Sequence, residues 1–409
     1  MKYIIIGNGI AGVHAAESIR HIDTSGTIQM ISDETTSPYS RPMISHVLAG
    51  FTDSQKIHIR PPNFYAQLNI EPLFGKRITQ IDIPKKQIHL DANTLDYDRL
   101  LIASGADPRP INAEGQDLQN IFFMRTVAQV LQIKKALLKT KRALVLGGGL
   151  VGFKAAYGLM HRGIPVTMII GSQYPLSMQV DPTAGHLILE SLRKKGLDVR
   201  VGLSVTSFEG KQTVQGAFLS DGTHLSCDLV IIGKGVLPSK AFISDNDIQT
   251  QSGILVDQHM TTNNPDIFAA GDVAQCYDIV RQSPWINAIW PEAVLQGRIA
   301  GANMTGKSLT HKGSLGRNVI RMFDLDILTA GLVNPPDNSS YIVISDHNAR
   351  NRYYRKFVFN NNRLIGVVMV NHIEQGGLFL SLIVNQIPIQ FPLKNFLTRT
   401  FHFGKMLKK

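Results

Sequence analysis

Two cysteines in 409 residues, Cys227 and Cys276, are too few and too far apart in sequence for a disulfide framework or a closely spaced redox pair to be read from them. Charged residues make up only 18 %, and apolar residues 44 %, a balance that belongs to globular proteins and excludes a disordered chain. Long hydrophobic runs are missing too. Residues 365–370, broken only by Gly366, are far too short to cross a bilayer. The chain passes from Met1 and Lys2 straight into a glycine-bearing motif, with no apolar signal region, so the expected location is the cytoplasm.

What is present is length, glycine and an uneven positive charge. A chain of 409 residues exceeds what one core usually organises, so two or three domains are expected. The formal net charge is +11, and residues 311–409 hold 13 Lys and Arg against 5 Asp and Glu, so 13 − 5 = +8 of it lies there. No nucleic-acid-binding module accompanies that charge, which argues against a nucleic-acid partner.

The 35 glycines fall repeatedly between apolar runs and helical patterns. Residues 3–6 read as a buried strand, 7–12 as a turn, 13–20 as a helix and 28–31 as the next strand. A second copy of this unit starts 147 − 7 = 140 residues later, with strand 143–146, turn 147–152, helix 153–161 and strand 165–170. Further strands at 100–103, 229–232 and 267–270 each run into a glycine turn, whereas from about residue 309 the pattern turns antiparallel, with 352–360 and 363–370 joined by Asn361 and Asn362.

Gly7, Gly9 and Gly12, with Ile10 and Ala11 between them, have the G-x-G-x-x-G spacing of a dinucleotide site. The first glycine makes the tight turn, the second lets backbone approach a pyrophosphate, and the third lets helix and strand pack closely. Asp33 or Glu34, at the end of the next strand, is placed to accept ribose hydroxyls. Gly147, Gly149, Leu150, Val151 and Gly152 repeat the arrangement. One such turn is also compatible with other α/β folds, but two in full context imply two dinucleotides and transfer between them.

The paired motifs, residues 101–109 (Leu-Ile-Ala-Ser-Gly-Ala-Asp-Pro-Arg) and residues 267–273 (Ile-Phe-Ala-Ala-Gly-Asp-Val) together resemble the FAD-dependent pyridine nucleotide-disulfide oxidoreductases. Within that superfamily, residues 39–45 (Tyr-Ser-Arg-Pro-Met-Ile-Ser) are similar to the rubredoxin and ferredoxin reductases and to the FAD portion of NADH-dependent nitrite reductases. The resemblance implies an α/β fold with two Rossmann-like domains and a C-terminal α+β interface domain. The FAD domain is discontinuous, 1–112 and 245–310; the NAD(P) domain is inserted at 113–244; the third domain is 311–409.

It also implies roles. Asp272 after Gly271 bonds the FAD ribityl chain, although an aspartate there is also an ordinary helix cap. Arg41 and Pro42 line the flavin ring, with His46, Ala103, Ser104, Gly105 and Arg109 nearby; a solvated arginine is the plainer alternative for Arg41. Trp290, Pro291 and Glu292 open a helix whose positive end faces the flavin, with Trp290 otherwise a core aromatic and proline in its favoured first-turn place. Gly235 faces the nicotinamide. No metal site is expected.

Three departures follow from the resemblance. Disulfide reductases carry a Cys-x4-Cys pair beside the flavin, but residues 37–50 hold no cysteine, so electrons leave for a separate acceptor. Cys276 reads as a buried, unreactive thiol. Lys154 stands where relatives carry glutamate, and is a candidate catalytic residue with Arg41 and Glu292. Gly171 and Ser172 end the second strand of the nicotinamide half without the acid or arginine that selects NADH or NADPH, leaving a slight lean to NADH. The reading is therefore an enzyme carrying electrons from NAD(P)H through FAD to an acidic electron carrier, such as a small iron protein. A flavin-binding subunit of a larger redox complex and a redox-sensing interaction protein are the alternatives.

The basic segment 391–409 interleaves Lys394, Arg399, Lys405, Lys408 and Lys409 with Phe396, Leu397, Phe401, Phe403, Met406 and Leu407. It is read as a surface for an acidic carrier, as a peripheral membrane contact, or as a tail packed on its own domain or on a second subunit, with homodimerisation or complex formation through this domain expected.

Overall fold

The computed structural model describes residues 1–409 except 92, 244–246, 337–339, 399, 400, 403 and 405–409. It contains two compact units, one of residues 1–42, 54–107 and 236–316, the other of 43–53, 108–235 and 317–409.

The first unit is built on a five-stranded parallel sheet in the order Ile267–Ala269, Arg99–Ile102, Lys2–Ile6, Thr27–Ser32, Ile70–Phe74. Lys2–Ile6 is apolar after its first residue because both of its faces are covered: Tyr3 and Ile5 enter one core, Ile4 and Ile6 the other. One of those cores joins two helices, Ile10–Ile22 and Trp290–Met304. They meet backbone to backbone, since a Cβ on Gly297 would stand 2.2 Å from the Ala11 carbonyl oxygen and one on Gly301 2.3 Å from that of Ala15.

In the second unit a parallel sheet has the order Asp198–Val201, Val166–Ile170, Ala143–Leu146, Leu229–Ile232, Ile121–Phe123. Its glycine-motif strand is again central, with the following strand on one side and a returning strand on the other. The α/β reading with two dinucleotide-type sheets therefore stands. Both motif helices begin earlier than the sequence pattern indicates, at Ile10 rather than residue 13 and at Leu150 rather than residue 153. The last residues of each glycine turn already form the first helical turn, because Val13 N–H donates to the Gly9 carbonyl at 3.0 Å and Phe153 N–H to that of Gly149 at 2.9 Å.

The C-terminal sheet of this unit is antiparallel, in the order Arg317–Met322, Leu325–Gly331, Arg363–Val370, Tyr353–Asn360, Tyr341–Asn348. Asn361 and Asn362, at φ 46° and 57°, make the two-residue turn with positive φ that matches strand twist. The strand before it starts at Tyr353, one residue later than the sequence pattern indicates. Phe396 and Phe401 are buried with Phe357, Phe359 and Phe379 in one aromatic cluster, which half-buried Phe391 joins at its side. The described part of the basic tail thus turns its apolar side into its own unit. Arg399, Phe403, Lys405, Met406, Leu407, Lys408 and Lys409 lie outside the described residues. Among the described residues no helix is long and apolar enough to cross a membrane.

Candidate functional site

At the carboxyl edge of the first sheet the chain leaves Ile6 through Gly7, whose N–H donates to the Ile31 carbonyl at 2.8 Å. Gly7 has φ +119°, and a Cβ there would lie 2.1 Å from the Ala103 carbonyl oxygen; a Cβ on Gly12 would lie 2.0 Å from that of Gly7. Gly9, by contrast, would meet nothing within 4 Å, so the turn is closed on the protein side and open at its tip. Gly9 caps the helix with extended backbone, offers no side-chain bond, and no acid stands in the first turn. The amides of Ile10 and Ala11 therefore keep the donors and partial positive charge that suit a pyrophosphate.

Beside this turn lies a pocket of 320 Å³, lined among others by Gly7, Asp33, Lys76, Arg77, Ser104 and Ser239. Its size is that of an ordinary small-molecule site. Asp33 is exposed there, while Glu34 is engaged elsewhere, accepting from Tyr39 Oη and from Arg41, each at 2.6 Å. Arg41 is half-buried, and the loss of water around it disfavours its charge, but Tyr39, Glu34 and Asp272 outweigh that and raise its pKa. Ser104 Oγ donates to the Ser239 carbonyl at 2.6 Å, and Ser239 N–H to that of Gly105 at 3.0 Å.

Gln296 ties the remaining pieces together. Its Oε1 accepts from Gly271 N–H at 2.8 Å, which fixes the Gly271-Asp272 turn to the Trp290–Met304 helix, while its Nε2 lies 3.4 Å from Cys276 Sγ. Proline sits in the first turn of that helix, as expected. Glu292, 4 % exposed, points away from solvent, with Oε2 3.4 Å from Nε2 of buried His311. Lys76, Arg77, Ser239 and Gln296 were not singled out from sequence. A Gly-Lys-Arg sequence after the third parallel strand was the available signal for the first two.

The second unit repeats the geometry. Gly147 has φ +110°, its N–H donates to the Ile169 carbonyl at 2.8 Å, and Gly149 caps the next helix at φ −78°, ψ −176°, against −80° and −177° for Gly9. A Cβ on Gly152 would lie 1.9 Å from the Gly147 carbonyl oxygen, and again no acid occupies the first turn containing Leu150 and Val151. Gly235 has φ +92° with open space beside it, and its carbonyl accepts from Arg109 N–H at 2.9 Å. Lys154 is half-buried, and burial lowers its pKa. The pKa of His46 is lowered as well, by burial and then by the charge of Lys154.

Two equal glycine turns, each opening a helix with no acid in its first turn at the carboxyl edge of a parallel sheet, point to a two-dinucleotide scaffold, and comparison with known proteins agrees. Residues 1–297 match the pattern of the pyridine nucleotide-disulphide oxidoreductases. The chain belongs to that family. Residues 317–387 of this oxidoreductase match the rubredoxin NAD+ reductase C-terminal domain. It is 28 % identical to the epsilon subunit of NADH-dependent phenylglyoxylate dehydrogenase from Aromatoleum evansii, covering 94 % of this chain and 92 % of that one. With putidaredoxin reductase from Pseudomonas putida it shares 32 % identity over 74 % of each chain. The solved covalent putidaredoxin reductase–putidaredoxin complex contains a chain matching at TM-score 0.87, 28 % identical and covering 95 % of this chain and 94 % of that one.

The family is named for a disulfide that this oxidoreductase lacks at the corresponding segment. The helix Ile44–Ala49 carries no cysteine, and burial pushes the thiols of Cys227 and Cys276 up to about 12 and about 11.

Proposed function

We propose that this chain holds FAD on its first unit and NADH or NADPH on its second, and passes electrons from the nicotinamide through FAD to a separate acceptor, such as a small acidic iron protein, in the cytoplasm. The observation that carries the reading is the duplicated glycine turn, alike in φ, ψ and hydrogen bonding, in a chain whose two thiols are buried. Bound there, FAD would supply the redox chemistry, as an acceptor of hydride and a donor of two electrons onward.

The residues present fit such a group. Gly7, Gly9 and Gly12, with the amides of Ile10 and Ala11, hold its pyrophosphate. Asp33 meets the adenosine ribose, with Lys76 and Arg77 beside it. Ala103, Ser104, Gly105 and Asp272 orient the ribityl side, and Arg41 with Pro42 packs the ring, its charge fixed by Glu34. Trp290 and Pro291 present a helix N-terminus, with Glu292 held back by His311. On the second unit, Gly147, Gly149, Leu150, Val151 and Gly152 hold the other pyrophosphate, and Gly171 and Ser172 reach its adenosine. Arg109, Gly235, His46 and Lys154 belong to the nicotinamide end, where Lys154 supplies positive charge in place of a carboxylate. Residues 311–409 serve as the interface domain.

A second reading, a flavin subunit of a larger redox complex, is supported by the likeness to subunit epsilon over nearly the full length of both chains. Anaerobic rapid mixing tests the shared core of both: NADH or NADPH is expected to bleach the flavin band near 450 nm, and no bleaching by either sinks the proposal.

A further inference from the structure

The chemistry that separates NADH from NADPH is a single 2′-phosphate on the adenosine ribose. In a doubly wound sheet that ribose lies at the carboxyl end of the strand next to the glycine-motif strand, where an acid favours the free hydroxyl and an arginine the phosphate. Here the strand is Val166–Ile170, and the six residues after it, Gly-Ser-Gln-Tyr-Pro-Leu, carry no charge.

The turn they form is pinned at three points. Leu176 N–H donates to the Gly148 carbonyl at 2.7 Å, Gly202 N–H to that of Ser172 at 3.1 Å, and Ser172 Oγ to that of Tyr174 at 2.7 Å. Ser172 has thus spent its hydroxyl proton, and its oxygen is left as an acceptor. Gln173 is exposed, and its amide is both donor and acceptor.

Charged groups around the turn are committed elsewhere or fall on chemistry common to both nucleotides. Asp181, the next acid in sequence, caps a helix by accepting from Ala184 N–H at 3.2 Å, accepts from Tyr354 Oη at 2.5 Å, and pairs with Lys356 at 3.1 Å. On the neighbouring strand Arg200 donates to Asp198 at 3.2 Å, and Arg193 donates to the Val199 carbonyl at 3.0 Å. Exposed Lys234 adjoins the Gly147 turn, where both nucleotides carry the same pyrophosphate.

We infer that the adenosine end of this site does not discriminate by charge, so that Ser172 and Gln173 admit NADH and NADPH with similar efficiency. The inference rests on the reading of the second unit as a nicotinamide dinucleotide site. It departs from the slight lean to NADH, since the absence of an acid removes the penalty on a 2′-phosphate as much as the absence of arginine removes its reward.

Calorimetric titration of the flavin-loaded full chain with 5′-AMP and with 2′,5′-ADP tests the subsite without any redox step, beside steady-state kcat/KM for NADH and NADPH. Dissociation constants within about tenfold of each other, and kcat/KM values equally close, are expected. Ser172→Asp should then weaken 2′,5′-ADP relative to 5′-AMP by roughly tenfold or more through like-charge repulsion, and Ser172→Arg should reverse the sign. A wild-type preference beyond about 100-fold, or variants that leave the ratio unmoved, overturns the inference. If neither probe binds, the second dinucleotide site falls with it. Equal binding of both probes without flavin bleaching by either dinucleotide upholds the subsite and overturns only the electron-transfer reading.

Discussion

The two glycine turns match in geometry but are assigned different cofactors, so matched substitutions should fail differently. In Gly152→Ala the new methyl would sit 1.9 Å from the Gly147 carbonyl oxygen, 3.0 Å from its carbon and 3.4 Å from Val145 Cγ1. An acceptable carbon–oxygen approach is about 3.3 Å, so the turn must open by roughly 1.4 Å, and it is backbone that must give. Forcing one methyl into a packed site costs about 1–3 kcal/mol, which the fold survives. A nicotinamide displaced by about 1 Å, however, loses about 100-fold in rate. Gly152→Ala is therefore expected to purify with its flavin, melt within a few degrees of the parent, and show kcat/KM for NADH lowered about 100-fold. Gly12→Ala, with its methyl 2.0 Å from the Gly7 carbonyl oxygen, is expected to lose flavin instead. The assay is the ratio of 450 nm to 280 nm absorbance together with anaerobic stopped-flow reduction. Equal flavin loss in the two variants, or undiminished reduction in Gly152→Ala, refutes the assignment.

Phe396, with no exposed surface and rings of Phe357, Phe359, Phe379 and Phe401 around it, should cost about 3–5 kcal/mol when replaced by alanine. Urea unfolding reads this, and a loss under about 1 kcal/mol contradicts the packing of the tail. Burial opposes the charge of Glu17, but His14 and Arg60 outweigh it and lower its pKa from 4.5 to about 2. A depressed carboxyl stabilises the fold above its unfolded value, so that contribution should drain away as pH falls from 4.5 towards 2. Glu17→Gln should flatten this part of the stability profile; an unchanged slope argues against the pair. With their thiols raised to about 12 and about 11, Cys227 and Cys276 should resist a thiol reagent at pH 7.5 in the folded chain and react only after denaturation.

Much of the scaffold was legible because it is local. Glycine spacing after an apolar strand specifies a turn and helix within about a dozen residues, so both motifs and the Asn361-Asn362 hairpin could be read directly. What escaped was assembled over long separations. The Gln296 bond to Gly271 and the Ser104 bond to Ser239 join residues with no shared local pattern. Glu34 looked equal to Asp33 as a ribose partner, yet Arg41 and Tyr39, close by in sequence but reached only through the fold of their segment, engage it. The helix starts were missed because glycines at the third motif position read as turn residues, whereas they lie inside the helices to permit close packing. The tail allowed three readings because alternating lysine and phenylalanine do not say which partner takes the phenylalanines; buried Phe396 and Phe401 take their own unit.

The central claim is that electrons pass from nicotinamide to flavin with no protein dithiol between them and the acceptor. Anaerobic titration of the flavin-loaded chain with NADH, followed at 450 nm, tests it most directly. Complete bleaching at one equivalent per flavin is the predicted result; an end point at two equivalents would reveal a second two-electron centre and contradict the account.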